Sequence, residues 1–390
     1  MNKKHLKKLI YPLSYLNKLT KKDDKKILLY SNLGFRDNVK AIYDYLITNK
    51  YNEKYTIICS LDNYKNYTGY RIKNVSFVSN IEGIYHYLTS KYCFYCFGKY
   101  PIKPSKKQIV INLWHGMPLK KIGNMEPNNK YEDYNFFTYV LSTSPFFSPF
   151  MMEAFNCNHN QVLICGQPRN DDLFVDNDKN VKETYNLTDY KKIILWLPTV
   201  RFSTRIKLNN QLEKNKYELS FPIINDNRKM YDLNNKLMLH NMVLLIKPHP
   251  MQDLTDSDKR QYSNIKVLQQ KDLDSERISL YKLLKVSDAL ITDYSSVYFD
   301  YLLLNRPIGF TINDIKDYEK SRGFIVDNPL QIMPGEKILN YDDYIRFIEQ
   351  IINEDDKYVK ERLKINDLCN TYKDGNNSKR ILDFCGITLE

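Results

Sequence analysis

Glycine is scarce in this chain of 390 residues, with twelve in all, and tryptophan is scarcer still, with two. Neither GxxxxGK[ST] nor GxGxxG occurs, which excludes an ATP P-loop and a Rossmann dinucleotide fingerprint. No apolar run approaches the ~18 residues needed to span a bilayer. The basic start also lacks the continuous apolar stretch and small-residue cleavage site of a signal peptide. Seven cysteines without regular spacing argue against a disulfide framework and suit reduced thiols. The one CxxC, Cys93 to Cys96, lies in an aromatic strand-like run with no second Cys or His pair, and reads as buried thiols rather than a zinc or redox site. No DxD-like acidic pair follows a strand, so no metal site and no tightly bound cofactor are expected. The chain is placed in the cytoplasm, or peripherally on the inner face of the cell membrane.

What is present is a net charge of +12 on a chain that is 43% hydrophobic, enough for real cores. The lysines are scattered among Asn, Tyr and Ile, a compositional bias rather than a nucleic-acid patch. Charge concentrates only at the start, where Lys3, Lys4, Lys7, Lys8, Lys18, Lys21, Lys22, Lys25 and Lys26 interleave with Leu6, Leu9, Ile10, Leu13 and Leu16. Residues 1–25 therefore read as a basic amphipathic arm suited to an anionic membrane surface, with a solvated arm as the alternative.

From Lys26 onward, apolar strands at 26–32, 55–60, 75–79, 92–97 and 108–114, then 191–198, 242–250, 264–268 and 289–292, alternate with amphipathic helices, the first over roughly 36–49. Alternation of this kind implies parallel sheets built from βαβ units, and two series imply two doubly wound domains. The expected division is 26–180, 181–365 and a C-terminal helical segment, 366–390, crossing back to the first domain. Ligands of such sheets bind beyond the carboxyl ends of strands, here in a cleft between facing domains. Residues 203–232 read as a long polar connection.

Seven clusters fall at such strand ends. Trp114-His115-Gly116 closes one strand, with Lys120 beyond it; a histidine beside glycine suits proton transfer. Gly166-Gln167-Pro168-Arg169-Asn170-Asp171, after the further strand Val162-Leu163-Ile164-Cys165, offers a fork-shaped cation and a carboxylate to orient it. Thr199 and Arg201 follow Leu197-Pro198, and Lys247-Pro248-His249-Pro250 follows the strand before it. Thr292-Asp293-Tyr294-Ser295-Ser296 leads into a helix over Val297 to Leu304 that contains Asp300; this hinge suits an anion, or is an ordinary N-cap. Arg322-Gly323 with Asp327 and Pro334-Gly335, then Asp374-Gly375 with Ser378 and Arg380, complete the set. Arginine is much rarer than lysine, yet Arg169, Arg201, Arg322 and Arg380 all land in clusters, which points to a phosphate-rich, nucleotide-activated donor.

The ordered series WHG…K, GxPRND, PTxR, KPHP, TDYSSxxFDxxLLxxP, RGF…D…PG and DGxxSxR resembles that of the CDP-glycerol glycerophosphotransferases of teichoic-acid synthesis, over about residues 26–385. The resemblance implies a GT-B-like fold and transfer of glycerol phosphate from CDP-glycerol to a hydroxyl of a lipid-linked saccharide or polyol-phosphate chain, with release of CMP. It implies His115 as general base and His249 at the donor pyrophosphate. Thr199, Arg201, Lys247, Thr292, Asp293, Ser295, Ser296, Asp300, Arg322 and Arg380 are then expected around the donor. Trp114, Gly116, Lys120, Arg169 and Asp171 are left to the acceptor side or to structure. Met117-Pro118 stands where the family often has threonine. The alternatives are a CDP-ribitol or other CDP-polyol donor, a nucleotide-sugar glycosyltransferase of the same fold, and a basic protein that binds nucleic acid or anionic polymer.

Overall fold

The structure is a computed structural model describing residues 12–126, 132–176, 178–199 and 218–389. The chain forms two compact units, Met1–Phe174 with Leu368–Glu390, and Val175–Asp367.

The first unit is built on a seven-stranded sheet of β1 (Asp23–Ser31), β2 (Thr56–Leu61), β3 (Val75–Val78), β4 (Ser90–Tyr95), β5 (Ile109–Asn112), β6 (Tyr139–Ser142) and β7 (Val162–Ile164). Every pairing is parallel and the order is β3-β2-β1-β4-β5-β6-β7. Parallel strands covered on both faces read as unbroken apolar runs, and Ile27, Leu28 and Leu29 of β1 are completely buried. Helix α1 (Asp37–Thr48) follows β1 and buries Val39, Ile42, Tyr43 and Leu46. The C-terminal segment belongs to this unit, where helix α2 (Asn377–Phe384) buries Ile381 and Leu382.

The second unit holds a six-stranded parallel sheet of β8 (Lys192–Trp196), β9 (Met242–Ile246), β10 (Ile265–Val267), β11 (Ala289–Thr292), β12 (Ile308–Thr311) and β13 (Glu336–Ile338), ordered β10-β9-β8-β11-β12-β13. Trp196 is buried between Phe221 and Tyr344, with ring centroids 5.6 and 5.3 Å away. The strand order reverses between β1 and β4 in the first sheet and between β8 and β11 in the second. At such reversals neighbouring loops diverge and leave a crevice at the carboxyl ends of the strands.

The expected strand series is present, with β6, β12 and β13 added to it. β12, Ile-Gly-Phe-Thr, is weakly marked because it carries a glycine. Gly309 is needed there: a Cβ would lie 2.7 Å from Ile338 Cδ1 and 2.9 Å from the Phe347 ring. The polar connection expected to reach residue 232 ends earlier, because Asn227–Leu239 is helical. Asp226 caps that helix by accepting from the Lys229 N–H, and Met230, Leu233, Asn234 and Leu237 form its buried stripe. Residues 203–217 of that connection lie outside the described residues, as do 1–11 of the basic arm.

Candidate active site

The strand-end clusters of the second unit sit on adjacent strands. Pro198 and Thr199 follow β8, Lys247 to Pro250 follow β9, and Asp293 to Ser296 follow β11, so they span the reversal of the sheet. Asp293 is completely buried, and its Oδ2 accepts both the N–H of Thr199 (2.9 Å) and its hydroxyl (2.8 Å). This carboxylate ties the two diverging loops together. Thr292 is also committed internally, donating its hydroxyl to the carbonyl of Leu197 at 2.9 Å. Asp300 is buried and accepts from the Tyr281 hydroxyl at 2.7 Å. Tyr294 packs under the loop, stacked on Tyr318 at 4.1 Å and donating to Asp314 at 2.8 Å. These four residues fix the hinge.

The helix after the hinge runs from Val297 to Tyr301 and tightens into a 3₁₀ turn over Leu302–Leu304. An ordinary side-chain N-cap is not what the hinge provides. Ser296, the N-cap residue, makes no capping bond, and the Asp293 carboxylate is turned to Thr199. Ser295 and Ser296 are half-buried at the start of that helix, where the Ser295 hydroxyl accepts the N–H of Val297 at 3.4 Å. His249 is exposed, and its Nδ1 accepts the N–H of Met251 at 3.1 Å. A neutral imidazole that accepts on Nδ1 carries its proton on Nε2, which makes Nε2 of His249 an N–H donor. Lys247 is buried at the end of β9, and its backbone N–H donates to Trp196 O. Arg322 is exposed and is followed by Gly323 at φ +69°. Arg201 lies outside the described residues.

In the first unit, His115 lies three residues past β5, between Trp114 and Gly116, both at positive φ. Its half-buried imidazole is stacked between Phe97 (4.9 Å) and Trp114 (3.9 Å). Trp114 in turn meets Phe155 edge-on at 4.8 Å. This apolar sandwich disfavours the imidazolium and lowers its pKa to about 4, against a smaller opposing pull from Asp37; Arg169 and Lys120 push the same way as burial. His115 is therefore neutral, in its base form, at physiological pH.

Arg169 is buried and ion-paired to Asp37, Nη1 lying 2.9 and 2.8 Å from the two carboxylate oxygens. Asp37, not Asp171 as the motif suggests, is thus the carboxylate that orients it. Asp171 instead accepts the backbone N–H groups of Asn377 and Ser378, both at 2.8 Å, at the start of α2. Gly166, at φ +76°, leaves room for that helix, since a Cβ would lie 2.1 Å from Asn377 Oδ1. Arg380, expected among the donor phosphates, belongs to the first unit and is used there. It donates to Asp374 (2.6 Å), Asn377 Oδ1 (3.0 Å) and Cys165 O (3.2 Å), and lies 3.6 Å over the Tyr372 ring. The last cluster is a brace for the C-terminal helix.

Three residues beside His115 escape the motif reading: Asp37, Asn38 and Cys96. All sit where β1 and β4 diverge, a position that the strand order makes significant and the linear sequence does not. Cys93 and Cys96 are buried free thiols. Among the described residues no group of three or more His, Cys, Asp or Glu side chains is placed to hold a metal ion.

Residues 12–385 match the model of the family described as CDP-Glycerol:Poly(glycerophosphate) glycerophosphotransferase. The chain is 27% identical over 383 residues to the teichoic acid glycerol-phosphate primase of Bacillus subtilis (strain 168), an alignment covering 93% of this chain and 92% of the relative. It is 28% identical over 329 residues to the teichoic acid ribitol-phosphate primase of Bacillus spizizenii (strain ATCC 23059 / NRRL B-14472 / W23), covering 78% and 77%. Among solved structures, the wall teichoic acid polymerase TagF shares the fold with a TM-score of 0.71 at 22% identity, covering 96% of this chain and 92% of that one.

Proposed function

This chain belongs to the CDP-glycerol:poly(glycerophosphate) glycerophosphotransferase family, and from that premise we propose that it moves glycerol phosphate from CDP-glycerol to an acceptor hydroxyl in the synthesis of a teichoic-acid or related surface polymer. The acceptor hydroxyl gives its proton to neutral His115 as its oxygen attacks the β-phosphorus in line. The new P–O bond forms as the bond from that phosphorus to the bridging oxygen breaks. The electron pair leaves with CMP, and the Nε2–H of His249 donates to the oxygen that takes up the charge. Ser295, Ser296, Lys247, Arg322 and Arg201 meet the phosphate charge, while Asp293, paired with Thr199, and Thr292 tie the loops after β8 and β11, and Asp300 anchors the helix after the hinge. Positioning and charge stabilisation are the main demands of phosphoryl transfer, and protein donors can supply both.

The observation that carries the reading is His115 itself, an imidazole kept in its base form by two aromatic faces at the end of a parallel strand. The test is CMP release from CDP-glycerol and CDP-ribitol with a lipid-linked or polyol-phosphate acceptor, comparing wild type with His115→Asn. Acceptor-dependent CMP from CDP-glycerol, lost in the variant, is the expected result; CMP unaffected by the substitution removes the base. CDP-ribitol is the second donor to try, because a ribitol-phosphate primase matches this chain at the same level of identity as a glycerol-phosphate primase.

The reaction is placed on the cytoplasmic face of the membrane, with the enzyme held there peripherally. No described helix is long and apolar enough to cross a bilayer. The helical segment after Tyr11 supports surface attachment. Ser14 and Asn17 anchor it to the first unit through Lys103 N–H (3.0 Å) and Gln108 Oε1 (2.7 Å). Tyr15, Leu16 and Leu19 remain exposed beside Lys18 and Lys21. Removal of residues 1–11 together with Leu16→Glu and Leu19→Glu should release the protein from anionic vesicles; retained binding would refute the attachment.

A further inference from the structure

The backbone that presents His115 is held in a conformation its own sequence disfavours. Trp114 has φ +52°, a left-handed geometry costly for a bulky side chain, and Gly116 follows at φ +125°. Two side chains from outside the motif meet this turn. Asn38 is completely buried, and its Nδ2 is shared among Trp114 O (3.0 Å), Leu113 O (3.1 Å) and Gln167 Oε1 (3.0 Å). Its Oδ1 accepts the N–H of Arg169 at 3.1 Å, so one carboxamide joins the β5 and β7 loops. Cys96, also buried, donates its thiol to the same Trp114 carbonyl at 2.8 Å. Burial keeps that thiol protonated, hence a donor.

The Trp114 carbonyl is one end of the peptide plane whose other end is the His115 N–H. Two donors on that oxygen fix the plane, and with it the direction in which the imidazole leaves the chain between Phe97 and Trp114. We propose that Asn38 and Cys96 are positioning residues for the reaction, locking the Trp114–His115 peptide so that the imidazole is held where the acceptor hydroxyl must lose its proton. The inference rests on reading His115 as the base. It differs from a packing role in what it requires at position 96, which is a hydrogen-bond donor rather than an apolar filler.

The experiment compares Cys96→Ser, Cys96→Ala, Asn38→Ala and His115→Asn by kcat and KM for CDP-glycerol and by Tm, using the full chain. Cys96→Ala should lower kcat by on the order of tenfold to a hundredfold, the cost of a base displaced by a fraction of an ångström to an ångström. Its donor KM should stay within about twofold of wild type, since ground-state binding is untouched. Cys96→Ser keeps a donor for the Trp114 carbonyl and should retain more activity than Cys96→Ala at a similar Tm, because a buried hydroxyl that stays hydrogen-bonded carries no unpaired-polar penalty. Activity restored by the donor without a matching gain in Tm thus marks positioning. Asn38→Ala unpairs several buried groups and is expected to lose both, so the Cys96 pair decides. Activity that follows Tm, or Cys96→Ala equal to wild type while His115→Asn is dead, overturns the positioning role alone. Full activity of His115→Asn instead removes the base reading beneath it.

Discussion

Acidification gives the sharpest test of the His115 environment. An imidazole with an ordinary pKa near 6.5 is only about 3% neutral at pH 5, whereas one held at about 4 is about nine-tenths neutral there. The acid limb of kcat/KM, which reports the free enzyme, should therefore fall below pH 5, leaving activity at pH 5 close to its plateau. The imidazole is lowered chiefly by burial between Phe97 and Trp114, so Phe97→Ser, which admits water, should move the limb back toward neutrality. The sign for stability follows from the same shift. Between pH 6.5 and 4 the unfolded chain takes up a proton that the folded chain refuses, so stability is lost as pH falls through that window. His115→Asn should remove that part of the acid-induced fall in Tm. The assay pairs initial CMP-release rates from pH 4.5 to 8 with an NMR titration of the imidazole Cε1 proton missing in His115→Asn. A limb and a titration both centred near 6.5 would refute the argument.

Other substitutions separate braces from ligands. Arg380→Ala should lower Tm yet leave the KM for CDP-glycerol unchanged, because its partners are Asp374, Asn377 and Cys165; a large rise in KM would return it to the phosphates. Asp171→Ala should cost about 1–2 kcal/mol in urea unfolding, the loss of a helix cap. Burial raises the Asp171 pKa to about 6, with the Asn377 and Ser378 bonds opposing. Its carboxylate is therefore least favourable above that pH, so stability should fall as pH rises from 4 to 6 and Asp171→Asn should flatten the fall. Gly166→Ala should cost more than about 1 kcal/mol, since φ is +76° and the new methyl meets Asn377; an unchanged Tm would show that the turn relaxes. Thr199→Val removes the hydroxyl bond to the buried Asp293 carboxylate and should lower Tm as well as raise the donor KM, since the loops it joins lose a tie.

How much of this was legible in the sequence depends on the length of the physical signal. Long apolar strands such as β1 and β9 are visible because both faces are buried, and the helix over Asp37–Thr48 because its stripe recurs at 3.6 residues. β12 escaped because Gly309 is selected by the close approach of Ile338 and Phe347 rather than by strand propensity. The motif residues were found, but their partners were not. Arg169 reads as paired with Asp171 two residues on, whereas the fold pairs it with Asp37, 132 positions earlier. Such a partner is set by strand order, which periodicity does not encode.

The same comparison suggests how the motifs divide their labour. Asp293, Thr292, Asp300, Asp171, Arg169 and Arg380 all spend polar atoms on other protein groups, and most are buried. Ser295, Ser296, His249 and Arg322 are half-buried or exposed, the two serines on the loop that Asp293 and Thr292 hold still. A motif therefore need not be read as a list of ligands. A buried carboxylate beside a half-exposed hydroxyl is the expected economy of a site that must present donors in fixed directions to a charged substrate, because preorganised groups need not reorient as charge develops. On this argument, substitutions in the buried set should lower Tm and activity together. Those in the exposed set should lower activity at constant Tm, and Ser295→Ala with Asp300→Asn is the pair in which the two outcomes should part most clearly.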